Sequence, residues 1–297
     1  MKRERLYRTE AVVLRRQDMG EADRLLTLYT PGAGKLRTIA KGVRKPTSRK
    51  AGHLELFMHS NLLVARGQSL DIVTQAEAIH PFRALRQDLE RATYAHYIAE
   101  LLDRFASEGD ENPALFNLLV HALQWLCEAG DLALAARFYE LRLLALEGYQ
   151  PQLFYCLGCG DALQPVINYF SPEQGGMLCP RCGEGLIGQW VTTEDQRVTT
   201  EGHPDRTGAG RHPPITPGAT ARLVRPLSVN ALKVLRYLQT HDYGDDAMPR
   251  IADCRRLRLR PQTQRELEAV MVHYITYILE QSLKSVEFMH RLREEGI

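Results

Sequence analysis

Apolar positions in the first 80 residues come in short runs, at 11–14, 25–29, 36–40, 62–65 and 72–74. Turn residues separate them: Gly20, the Pro31-Gly-Ala-Gly34 cluster, Gly42, Pro46 and Gly67. Short apolar or alternating runs between such breaks predict β-strands. Five strands in so short a span fit a small closed barrel, because an open sheet would leave two raw edges. The size suits an OB-type barrel, and an SH3-like barrel would give nearly the same pattern.

Beyond His80 the period changes. Phe82, Leu85, Leu89, Tyr97, Leu101 and Phe105 recur at helical spacing, as do Leu115, Leu118, Leu119, Ala122 and Leu126. A third stripe holds Leu134, Phe138, Leu141 and Leu144. Three helices are expected, joined by polar stretches at 108–113 and 128–131, with the stripes as core. Residues 192–221 are rich in Gly, Pro, Thr and charge and read as a mobile or disordered insertion, its His203 and His212 simply solvated. Helix is expected again after Ser228, a predicted N-cap, with Leu232, Leu235 and Leu238 inside. One last helix is predicted over 263–295.

The expected fold class is therefore α+β and multidomain: a five-stranded OB-type barrel, then a mostly helical domain carrying a cysteine module. The domain reading is 1–80 for the barrel and 81–151 for the first part of the helical bundle. The cysteine module covers 152–188, the insertion 192–221, and C-terminal helices over 225–297 complete the helical domain.

Cysteine spacing adds the first chemistry. Cys156 and Cys159 form one C-x-x-C pair, Cys179 and Cys182 a second, with 19 residues between the pairs. Each two-residue gap lets one turn aim both thiolates at one ion, and two such turns complete a tetrahedral set of four sulfurs. That spacing belongs to zinc ribbons. Four thiolates leave no open coordination position, so one structural Zn²⁺ is expected and no catalytic metal. Gly160 and Gly183 follow each pair where a positive φ is often required. Cys127 and Cys254 are lone and read as small core residues. Zinc-thiolate ligation needs reduced cysteines and so implies a cytoplasmic location. The charged start, Met1 to Arg8, has no apolar stretch of a secretory signal, and no run of about 18 apolar residues suggests a membrane span.

Charge adds the second. The chain's net +2 conceals a division: residues 1–80 hold 15 Lys and Arg against 8 Asp and Glu, a net of +7, and the remainder carries −5. Seven of those cations, Lys35, Arg37, Lys41, Arg44, Lys45, Arg49 and Lys50, fall within 16 residues that contain no acid. Beside Thr47 and Ser48 they would neutralise phosphates without reading bases. Nucleic-acid binding through this stretch is the expectation, against the blander reading of a solubilising run. Stacking aromatics are few (Tyr7, Tyr29, Phe57) and each can be core. Arg250 to Arg260, with five arginines, is either a second phosphate contact or a solvated helix face. Asp18, Glu21 and Asp23 near Gly20 read as structural acids. No phosphate-binding glycine loop, dinucleotide fingerprint or H-E-x-x-H is present, so no enzyme activity is expected.

Several stretches carry a resemblance. They are Gly20-Glu-Ala-Asp-Arg-Leu-Leu-Thr-Leu-Tyr-Thr-Pro, Gly34-Lys-Leu-Arg-Thr-Ile-Ala-Lys-Gly-Val-Arg-Lys-Pro, Gln75-Ala-Glu-Ala-Ile-His-Pro-Phe-Arg and Tyr139-Glu-Leu-Arg-Leu-Leu-Ala-Leu-Glu-Gly-Tyr-Gln-Pro, with the four cysteines. Over about 1–190, and again at 227–239, the chain resembles the RecO family, bacterial recombination mediators. The resemblance implies an OB-fold, a helical domain and a zinc module. It further implies binding of single- and double-stranded DNA, strand annealing at the nucleoid, and work with RecR and single-stranded DNA-binding protein to load RecA. An acidic-hydrophobic tail of that binding protein would need an apolar groove rimmed by a cation, and Arg137 or Arg142 on the third helix is a candidate. The other readings kept open are a zinc-ribbon transcription regulator and, last, a zinc-dependent enzyme.

Overall fold

The computed structural model describes residues 5–187, 224–240 and 257–295. These residues divide into two compact units, one built on 5–148 with 257–258 and 282–295, the other on 149–187 with 224–240 and 259–281.

In the first unit five strands close a barrel: β1 (Leu6–Met19), β2 (Asp23–Thr30), β3 (Gly34–Ala40), β4 (His59–Ala65) and β5 (Asp71–His80). Their order is β1-β2-β3-β5-β4, with β4 returning to pair with β1, so no long edge stays open. That is the OB-type arrangement. Alternate residues fill the interior, among them Val13, Leu26, Leu28, Leu62, Val64 and Val73. The run 11–14 is buried on both sides, which alternation alone would not allow. Ala11 and Val13 point into the barrel, while helices pack against β1 and β2 from outside and cover Val12, Leu14 and Tyr29. A bulge between Val13 and Arg15 then resets the alternation, so Arg15 emerges opposite Thr27.

Four helices follow: α1 (Ala84–Gln87), α2 (Leu89–Phe105), α3 (Pro113–Glu128) and α4 (Leu132–Leu146). The last three start in the same way. Asp88, Asn112 and Asp131 each accept the backbone N–H three residues on, at 2.9, 3.1 and 2.9 Å. Each such cap satisfies one orphan donor and contributes about 1 kcal/mol.

In the second unit the cysteine module sits beside a three-stranded sheet ordered β7 (Gly176–Leu178), β6 (Asn168–Ser171), β8 (Arg225–Leu227). Helices α5 (Val229–Thr240) and α6 (Pro261–Leu279) pack on each other. Ser228 is the N-cap of α5, as expected: its Oγ accepts the Ala231 N–H at 3.2 Å. Arg236 Nε donates to the Leu153 carbonyl at 2.8 Å, and Gln239 donates to that of Pro151 at 2.8 Å, tying α5 to the start of the module.

Two expectations need correction. The predicted helix over 263–295 is two helices, because Glu280 takes a left-handed conformation (φ 53°) that ends α6. The second piece, α7 (Lys284–Glu294), packs against α2 in the first unit. Residues 225–240 and 261–279 instead belong with the cysteine module, whose sheet borrows β8 from beyond residue 188. The predicted insertion at 192–221, with His203 and His212, lies outside the described residues, as do Cys254 and all of the 250–260 arginine cluster except Arg258 and Arg260.

Candidate nucleic-acid interface and metal centre

The barrel carries two cationic surfaces. One is the segment after β3. The motif residues on either side of it act as its clamp: Asp23 Oδ1 accepts the Gly42 N–H at 2.7 Å, and the Arg44 N–H reaches the Ala22 carbonyl at 2.9 Å. Gly42 sits at φ 64°, a conformation that favours glycine. Asp23 and Asp18, two of the acids near Gly20, thus hold local structure, Asp18 through Arg24 and Arg44. This clamp holds Lys41, Lys45 and Arg49 exposed, with Thr47 exposed beside them.

The seven predicted cations do not share one role. Lys50 turns inward: its Nζ donates to the Val73 carbonyl at 2.7 Å and the Lys41 carbonyl at 3.2 Å, and burial pushes its pKa down. It braces the segment. Arg44 is exposed but lies 3.4 Å from Asp18 Oδ2 and donates to the Gly20 carbonyl at 3.2 Å. Lys35 Nζ donates to the main-chain carbonyl of Asp103 on α2 at 2.7 Å. Arg37 is exposed. The acid-free stretch in sequence therefore acquires Asp18 and Asp103 in space.

The second surface is the outer face of β1, β2 and β3. Arg15, Thr27 and Arg37 lie side by side across the three strands, since Arg15 pairs with Thr27 and Thr27 with Arg37. This face forms one wall of a groove of about 760 Å³, closed on the other side by Asp103, Arg104, Glu108 and Lys284. Arg15, Arg104 and Lys284 were missed from the sequence, where they stand 15, 104 and 284 residues along with no local pattern to mark them. Strands 2 and 3 of OB-folds commonly form the oligonucleotide face. Stacking residues do not supplement it. Tyr29 and Phe57 are buried, and the Tyr7 hydroxyl donates to Asp71 at 2.6 Å with Arg66 over its ring.

The four cysteines converge as their spacing requires. One sulfur from each lies within 4.8 Å of the others, and Cys159 and Cys179 Sγ are 3.9 Å apart. A tetrahedral zinc with bonds of about 2.3 Å needs sulfurs about 3.8 Å apart. A disulfide would need about 2.05 Å. The first turn closes through the Gly160 N–H on the Cys156 carbonyl at 2.8 Å, with Gly160 at φ 79°. Gly183 is needed for a different reason than predicted. Its φ is ordinary, but a Cβ there would stand 2.5 Å from the Tyr169 ring. Burial opposes ionisation of Cys156, yet backbone N–H donors including that of Cys179 outweigh it and lower its pKa to about 6. Cys182 goes the other way, to about 12, first through its hydrogen bond with Cys179. Four thiols packed this closely cannot all ionise without a cation among them, and the donor set fits a metal ion. Cys127 lies elsewhere, half-buried, and burial pushes its thiol up.

Arg137 does not rim a surface groove. It is 4% exposed and ion-paired with Glu140, which also accepts from the Tyr97 hydroxyl inside the helical core. Arg142 is half-buried, its guanidinium 5.5 Å from the Phe138 ring centre. Among the described residues, no helix is long and apolar enough to cross a membrane.

Family models agree with both halves of this architecture. The model described as Recombination protein O N terminal matches residues 1–82, and that described as Recombination protein O C terminal matches 86–186. The chain is 39% identical over 292 residues to DNA repair protein RecO of Roseiflexus sp. (strain RS-1), covering 98% of this chain and 88% of that one. It is 34% identical over 287 residues to DNA repair protein RecO of Dehalococcoides mccartyi strain BAV1, covering 97% and 96%. Against that of Desulforamulus reducens it is 33% identical over 293 residues, covering 99% and 97%. A barrel, a capped helical bundle and a four-cysteine module in this order, matched over nearly the whole length, place the chain in the RecO family, with a role in recombinational DNA repair.

Proposed function

We propose that this chain is a recombination mediator that binds single- and double-stranded DNA without sequence preference and anneals complementary strands. The observation that carries the reading is the clamped display of Lys41, Lys45 and Arg49, exposed together with Arg37 on an OB-type barrel. Point charges on a loop meet phosphates and read no base edges, so affinity is general and salt-dependent. Annealing breaks no covalent bond. It requires two polyanions brought together, and a cationic surface lowers their repulsion, so no nucleotide turnover and no enzymatic step are needed.

The cysteine set holds one Zn²⁺ through Cys156, Cys159, Cys179 and Cys182. The zinc is structural: it cross-links the 156–160 turn to the segment after β7. The mediator works beside RecR and the acidic tail of single-stranded DNA-binding protein. With Arg137 inside the core, Arg142 on α4 is the remaining candidate to meet that tail. The proposal is tested by mixing two labelled complementary strands with the protein, without nucleotide and across a salt series. Acceleration that falls with salt in step with binding is expected. A rate equal to the protein-free control, where binding is shown, would rule the mediator reading out.

A further inference from the structure

The groove beside the barrel is distinct from the loop. Neither Lys41, Arg44, Lys45 nor Arg49 lines it. From Arg37 the loop begins four residues further along, about 13 Å of extended chain, toward the Gly20 end of the barrel. Six cations line the groove against two carboxylates, with Arg104 supplied by α2 and Lys284 by the first turn of α7. Thr27 and Gln17 on its barrel wall add neutral polar contacts.

Asp103 is the informative member. Its carboxylate is only 16% exposed and takes Arg15 Nη1 at 3.1 Å and Lys35 Nζ at 3.3 Å, while Arg15 itself is 73% exposed. One carboxylate drawing two cations from different strands occupies the position a phosphate group would take between them. The groove's volume is that of a small-ligand pocket. It suits a strand that can bend and splay into a recess. A duplex, whose major groove alone is about 12 Å wide, is better met by the exposed loop.

We infer that this groove binds the backbone of a single DNA strand, and that Asp103 is an internal counter-charge which an entering phosphate displaces from Arg15 and Lys35. The inference rests on the DNA-binding reading above and assigns that binding a second surface. Single strands use groove and loop together; duplex uses the loop. Asp103 also sets a threshold: weak or isolated anions do not displace it, whereas a run of phosphates does.

The test uses the full chain and three variants, each checked for an unchanged circular dichroism spectrum and metal content. Binding of a labelled single strand and of a duplex of unrelated sequence is measured across a salt series. Asp103→Asn keeps the shape and an acceptor but removes the charge. It is expected to tighten single-strand binding roughly three- to fivefold at low salt, the scale of one partly exposed ion pair, with duplex binding unchanged. Arg15→Ala with Arg104→Ala is expected to weaken single-strand binding roughly tenfold and to make its salt slope shallower by about 1.4, two lost contacts at about 0.7 each. Lys41→Glu with Lys45→Glu and Arg49→Glu should weaken both ligands. A gain of affinity in Asp103→Asn cannot come from misfolding. Unchanged or weaker single-strand binding by Asp103→Asn, or wild-type single-strand binding by the Arg15/Arg104 pair, would overturn the inference, as would equal losses for duplex and single strand. If the groove variants fail in these ways while the loop variant loses binding, the DNA-binding reading stands without the groove. If the wild-type protein binds neither ligand, both fall.

Discussion

Glu100 caps a helix that begins 184 residues away. Its carboxylate accepts the Lys284 N–H at 3.1 Å and both the N–H and hydroxyl of Ser285, at 2.8 and 2.6 Å. The α7 N-cap position, Leu283, has no side-chain acceptor of its own, so α2 supplies the one that satisfies these orphan donors. The negative charge also complements the positive end of α7. This contact holds Lys284 at the rim of the groove.

Glu100→Ala should therefore cost the first unit about 2 kcal/mol, the scale of hydrogen bonds to a charged acceptor. It should also raise amide exchange in α7 while the barrel strands stay protected. Hydrogen exchange followed by mass spectrometry reads both effects. Uniform exchange across the unit would contradict the capping role.

Lys50 and Lys45 differ in that one braces the segment and the other is exposed, although they stand five residues apart. Lys45→Ala should lower DNA affinity and reduce the single-strand salt slope by about 0.7 with little change in melting temperature. Lys50→Ala should do the reverse, lowering thermal stability because the Lys41 and Val73 carbonyls lose their donor. Thermal melts beside salt-series binding distinguish the two. Equal effects from both would mean that the loop acts only as undifferentiated charge.

Cys159→Ser should abolish metal binding and loosen the second unit, leaving barrel-borne DNA binding in place. Cys159 is exposed, so the substitution removes a ligand without opening a cavity. Elemental analysis is expected to find one zinc per wild-type chain and almost none in the variant. Zinc far below one per chain in wild-type protein purified under reducing conditions would sink the assignment.

Acid should weaken the first unit. Burial lowers the pKa values of His59, His96 and His121 below the ordinary 6.5. Below about pH 6.5 the unfolded chain takes up protons that the folded one refuses, so stability is complete above that pH and falls as pH drops through it. His59 is partly compensated by Glu10, whose Oε2 lies 3.0 Å from its Nε2. Melting temperature measured between pH 7.5 and 5.5 should decline. A flat profile would show that these rings protonate freely in the fold.

What the sequence determined by itself was whatever depends on neighbours along the chain. Strands 25–29 and 36–40 were legible because alternation and turn residues are local, and so was the Ser228 cap. The four cysteines announced their convergence because two-residue gaps geometrically favour it. Tertiary structure alone decided which charges remain available. Lys50 and Arg137 look like surface cations in sequence, yet one is spent on the Val73 carbonyl and the other on Glu140. The seven-cation stretch contains no acid, yet Asp103 arrives from α2 to bind Lys35. No proline or glycine marks the break at Glu280, so nothing local announces it; α6 and α7 on either side of it belong to different units. Burial and pairing are set by residues distant in sequence, and a periodicity confined to one segment cannot report who will stand opposite it.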